Sequence, residues 1–93
     1  GKDELAYQEG RLEQAASKAV AGLDAAARTA FQATQASWRS DTDRYCRQAP
    51  NGSVQQLQVA QECRLYRVAN RADQLLAQVR QELETVAKKS DTP

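Results

Sequence analysis

Hydrophobic residues recur along this chain at steps of three, four and seven, and nowhere do they alternate strictly with polar ones. In the first stretch Leu5, Leu12, Ala16, Ala19 and Leu23 fall on one helix face. A second stripe runs through Ala27, Phe31, Thr34, Trp38 and Tyr45, interrupted by Asp41. A third keeps a seven-residue rhythm through Leu65, Val68, Ala72, Leu75, Val79 and Val86. The punctuation between them is local and chemical. Asp24 offers a side-chain oxygen to the free N–H groups of a helix start. Pro50, Asn51 and Gly52 favour a turn, and Ser53 with Gln56 has the spacing of a reciprocal capping box. Lys88 and Lys89 sit where cations favour a helix C-terminus. These signals predict helices over about residues 3–22, 25–47 and 54–88, a turn over 48–53 and a frayed tail over 89–93.

The predicted fold is all-α. Residues 1–93 form a single helical domain, an antiparallel three-helix bundle or long helical hairpin whose alanine-rich stripes bury closely against one another. An extended dimeric coiled coil is the alternative, weakened by the alanine content and by breaks at Asp41 and Glu82. Composition agrees with helices: alanine and glutamine dominate, and only two prolines and four glycines interrupt 93 residues. A domain of this size buries only about 60–65% of its unfolded surface, so further stabilisation has value. No stretch approaches the roughly 18 apolar residues that cross a bilayer, so no transmembrane segment is expected.

The stretch "YCRQAPNGSVQQLQVAQECR" holds both cysteines. There is no histidine in the chain, so two thiolates alone cannot complete a four-ligand zinc shell. Redox pairs use Cys-x-x-Cys spacing, whereas sixteen residues separate Cys46 from Cys63. What remains is a structural disulfide or two buried free thiols. An antiparallel return past the turn brings the two positions together, and closing such a loop is worth about 3 kcal/mol in an entropy model. A disulfide places the protein in an oxidising compartment, so the expected location is periplasmic or secreted, with the export signal outside these residues.

Enzymatic groupings are sparse, and the chain is not expected to be an enzyme or to need a cofactor. Without histidine there is no neutral-pH imidazole base, and Ser17, Ser37, Ser40, Ser53 and Ser90 have no activating neighbour. The carboxylate pairs Glu9 with Glu13 and Asp41 with Asp43 read as solvated helix surface. Net charge is only +1, but it is unevenly spread. Residues 28–71 carry Arg28, Arg39, Arg44, Arg47, Arg64, Arg67 and Arg71 against Asp41, Asp43 and Glu62, a local charge of +4, which leaves −3 elsewhere. That predicts a basic end beside the cysteines, attractive to an acidic protein partner or to the anionic cell envelope. With no Lys/Arg run and no recognisable binding motif, nucleic acid is not expected.

The segments "FQATQASWRSDTDRYC", "NGS" and "CRLYRVANRADQL" together resemble the LprI-type lysozyme-inhibitor N-terminal domain family, small secreted bacterial helical proteins otherwise of unknown function. The resemblance covers roughly residues 12–79. Gln35 stands three before Trp38, Cys46 eight after it, then Gly52 and Ser53, then Cys63 with Arg71 eight later and Leu75 four beyond. Leu12 matches the position of the family's Leu-Asn motif, while Glu13, Ala16, Asp41, Thr42 and Val68 depart from the family pattern at polar and aromatic positions. The resemblance implies a protein that binds and blocks a lysozyme-type muramidase. Within it, Trp38 is expected in the core, Gln35 to make a side-chain hydrogen bond, Arg71 to pair with Asp43, and Gly52 and Ser53 to make turn and cap. Arg47 and Asn51, with Arg44, Arg64 and Arg67, are the expected partner-binding groups. A cell-envelope scaffold or dimerisation module without inhibitory activity is the alternative function, and the sequence leaves monomer or dimer open.

Overall fold

The computed structural model of the protein describes residues 2–47 and 52–90. Among the described residues there are three helices: α1 (Lys2–Ala21), α2 (Ala25–Tyr45) and α3 (Val54–Ser90). The bundle is elongated, with extents of 63 × 25 × 15 Å.

Each boundary follows from local chemistry. Asp24 is extended and accepts a hydrogen bond from the Ala27 N–H at 2.8 Å, opening α2 as its sequence position predicts. Asp24→Ala should destabilise the fold by about 1 kcal/mol, read as a lower Tm, since it removes the side-chain acceptor of this cap. At the start of α3 the capping box closes both ways. The Ser53 N–H donates to Gln56 Oε1 at 2.9 Å, and the Gln56 N–H donates to Ser53 Oγ at 3.3 Å. Gly52 precedes this cap, outside the helix. The remainder of the expected turn, residues 48–51 with Asn51, lies outside the described residues. α2 stops at Tyr45 rather than residue 47, because Cys46 leaves helical geometry while its N–H still bonds the Thr42 carbonyl at 2.8 Å. α3 continues past residue 88, which places the last two lysines within its final turn.

α1 and α3 run parallel, with α2 antiparallel to both. Arg11 of α1 pairs with Asp73 of α3 at 2.7 Å, while Asp43 and Gln35 of α2 meet Arg64 and Arg71 in reversed order. The core is small and lies mainly between α1 and α3. Leu12, Ala15, Val68, Ala72 and Leu75 are buried, with Leu5, Ala16, Phe31, Trp38 and Leu76 packed around them. Ala15 and Ala72 lie at the seam, and their small side chains let the backbones of α1 and α3 come close. α2 makes few close backbone approaches to α3. It stands off on Phe31, Trp38 and the arginines of α3, which are too long to permit alanine-type packing.

The second stripe therefore differs from its sequence pattern. Thr34 is exposed and returns its hydroxyl to the Ala30 carbonyl at 3.1 Å, and Tyr45 is 76% exposed. Thr42, only 3% exposed, occupies the inward position between Trp38 and the cysteine. On α1 the deepest alanine is Ala15 rather than Ala16. On α3 Val68, Ala72 and Leu75 are buried and Leu65 partly so, but Val86 is 60% exposed.

Candidate functional site

The sequence draws attention to the end of the bundle where α2 hands over to α3, and the structure closes it with a disulfide. Cys46 and Cys63 are bonded, with a Cα–Cα distance of 5.5 Å, and Cys46 is buried. Both thiols are consumed, so the free-thiol alternative is set aside. The bridge joins the C-cap of α2 to a point about three turns into α3, which makes a clasp around residues 47–62.

Three arginines at steps of three and four on α3, one per turn, fill the space between α3 and α2. Arg64 donates to Asp43 Oδ1 at 2.6 Å. Arg67 donates through Nε to Thr42 Oγ1 at 2.8 Å, which gives the buried hydroxyl its partner. Arg71 donates through Nε to Gln35 Oε1 at 2.7 Å. The expected pair of Asp43 with Arg71 is therefore not made; Asp43 belongs to Arg64, and Arg71 takes the neutral amide instead. The reason is register. With Cys46 opposite Cys63, stepping three residues back on α2 puts Asp43 level with residue 66, within a turn of Arg64. Arg71 is five residues farther along, about 7–8 Å at 1.5 Å per residue. The same rule puts Gln35 level with residue 74, within a turn of Arg71, so the cysteine pairing contained the signal that identifies both partners.

Electrostatics separates these cations. Arg39 of α2 makes a two-pronged pair with Glu9 of α1 at 2.9 and 3.0 Å, and this hydrogen bonding raises its pKa above the ordinary arginine value against the opposing effect of burial. Arg71 is lowered by burial, with an uncharged partner beside it. Arg44 pairs with Asp41 on its own helix, and Arg28 reaches the Leu23 carbonyl at the opposite end of the bundle. The basic end is thus narrower than the sequence predicts: Arg28 is not in it, and Arg44 and Arg64 each face a carboxylate.

What distinguishes the clasp is a stack of rings and guanidiniums. The Arg67 guanidinium lies 5.8 Å from the Trp38 ring centre and 5.3 Å from that of Tyr45. Arg39 approaches the Trp38 ring at 5.5 Å. Trp38 is the partly buried root of this stack, packed on the core, and Tyr45 is its exposed tip. Beside Tyr45 and the exposed Arg47 lies an open groove of about 760 Å³, floored by the disulfide, Val59 and Ala60 and edged by Gln55 and Gln56. The sequence pattern assigns Tyr45 to the interior, and only the position of Arg67 on α3 reveals it as a surface group. Asn51, the other expected tip residue, lies outside the described residues.

Among the described residues, no group of three or more His, Cys, Asp or Glu side chains could hold a metal ion. No helix there is long and apolar enough to cross a membrane. No buried side-chain nitrogen or oxygen among them lacks a hydrogen-bond partner. Comparison with known protein families, with curated proteins and with solved structures finds no match to this chain.

Proposed function

We propose that this chain is a periplasmic or secreted helical binding protein that engages a lysozyme-type muramidase through its clasp end and inhibits it. The observation that carries the reading is the exposed Tyr45 stacked on Arg67 beside Arg47, at a helix end anchored by a disulfide. Tyrosine and arginine are the residues that dominate binding energy at protein interfaces. Holding them on an anchored helix end limits the conformational freedom lost on binding. Arginines there are the right sign to meet the carboxylates of a muramidase cleft. The resemblance over residues 12–79 supplies the enzyme class, and the disulfide supplies the oxidising compartment. A muramidase that is not strongly basic fits best, because like charges repel at long range and slow encounter.

A lysis assay on bacterial wall substrate tests this. Oxidised protein in molar excess should slow at least one enzyme in a panel of host and bacterial muramidases. Tyr45→Ala and Arg47→Glu should each weaken that inhibition by about tenfold, the effect of losing one strong interface residue, while leaving the Tm near that of the parent because both side chains are exposed. Full lysis rates across the panel would remove the inhibitor reading.

A further inference from the structure

α3 carries one apolar stripe along most of its length. Val68, Ala72 and Leu75 are buried and Val79 is partly covered. The stripe continues at steps of four and three to Leu83 and Val86, yet these are 65% and 60% exposed. The cause is the length of the neighbours. α1 ends at Ala21, and the corner at Gly22 and Leu23 shares an open cleft with Gln78, Gln81, Glu82, Thr85 and Val86. From residue 83 to residue 89 every residue of α3 is exposed, so α1 and the corner that follows it no longer bury the core-facing side, over about 10 Å of helix.

We propose that this projecting end is a self-association surface, on which α3 of a second copy lies antiparallel about a two-fold axis. Two observations select a second copy over another occupant. The first is the continuity of the stripe. A surface that repeats the pattern of the core is self-complementary when two copies meet head to head, with Leu83 of each packed on Val86 of the other. The second is charge. Glu82 and Lys89 lie seven residues apart on the same flank of the stripe, with opposite signs. In an antiparallel helix pair each flank faces its own counterpart, so with Leu83 opposite Val86 the spacing brings Glu82 of each copy to Lys89 of the other, twice in one dimer. The other flank presents Arg80 to Ala87, which is neutral. A parallel pair would set Glu82 against Ala87 and leave both ion pairs unmade. The surface is two helical turns long, so the dimer is weak and reversible and depends on protein concentration.

Sedimentation equilibrium of the full chain over a wide concentration range tests the proposal, with far-UV circular dichroism confirming that each variant stays helical. The parent protein should fit a monomer–dimer equilibrium. Leu83→Asp should raise the dimer Kd by about tenfold or more, because it puts a charge at the centre of the seam. Glu82→Lys and Lys89→Glu should each raise Kd about two- to fivefold, the range for exposed ion pairs. Combining both substitutions in one chain, or mixing the two single variants, should restore the parent value, because opposite charges again meet. A parent protein that stays monomeric throughout, or a dimer whose Kd is unmoved by Leu83→Asp, would overturn the proposal. The outcome is independent of the muramidase reading, which concerns the other end of the molecule.

Discussion

Replacing Leu75 with alanine is expected to lower the unfolding free energy by about 3 kcal/mol. Leu75 is one of the three largest wholly buried side chains, with Leu12 and Val68, in a core whose other two buried members are alanines. In so small a core there is little to collapse into the space left behind. Ala15 and Ala72 already hold α1 and α3 close, and the helices cannot move nearer to fill a cavity lined by Leu12 and Leu76. For a domain of this length, 3 kcal/mol corresponds to a fall in Tm of about 12–24 °C. Thermal unfolding followed at 222 nm measures it. Val86→Ala, made at the exposed end of the same stripe, should stay within about 0.5 kcal/mol of the parent at concentrations where the chain is monomeric. A Leu75→Ala loss below about 1 kcal/mol would mean that the α1–α3 seam is not the main source of stability.

Removing the disulfide, by reduction or by the double substitution Cys46→Ala and Cys63→Ala, should cost about 3 kcal/mol by loss of the constraint on the unfolded chain. The effect should also be local. α2 makes few close backbone contacts with α3, and near the clasp it is held by Arg64 on Asp43 and Arg67 on Thr42. The first of these is partly exposed and by itself contributes on the order of 1 kcal/mol or less. Without the bridge, amide exchange should accelerate in the last turn of α2 and the first two turns of α3 more than at Leu12 or Ala72. Uniform acceleration through all three helices would contradict this division, and an unchanged Tm on reduction would contradict the stabilising role itself. If inhibition depends on a preorganised clasp, it should weaken under the same reduction while the protein remains folded.

The structure corrects the sequence reading at places that share a cause. Tyr45 and Thr42 exchange roles because residue 42 faces α3 at the level of Arg67, whose Nε satisfies the threonine hydroxyl. A tyrosine is larger and more apolar, but its position on the helix turns it outward, where the same arginine stacks on its ring. Asp43 meets Arg64 because the cysteine bridge sets the register of two antiparallel helices, and a shift of one turn would exchange every arginine partner. Arg28, counted among the basic residues by its place in the chain, sits at the far end of the bundle because α2 begins there.

The features legible in the sequence are those written within a few residues of each other. Asp24 with Ala27, Ser53 with Gln56, and the steps of three and four that mark helix faces act over one turn, and they determined three helices and their boundaries nearly to the residue. The absence of histidine and the spacing of Cys46 and Cys63 narrowed the cysteines to a staple or to buried thiols. Tertiary structure decided that the thiols bond, which arginine meets which acceptor, and that Tyr45 rather than Trp38 is presented outward. It also decided where the stripe on α3 ceases to be core. Periodicity makes Leu75 and Val86 members of one face, and only the lengths of α1 and α2 leave the second of them 60% exposed. Burial is a property of what lies opposite a side chain, and that depends on the register of whole helices.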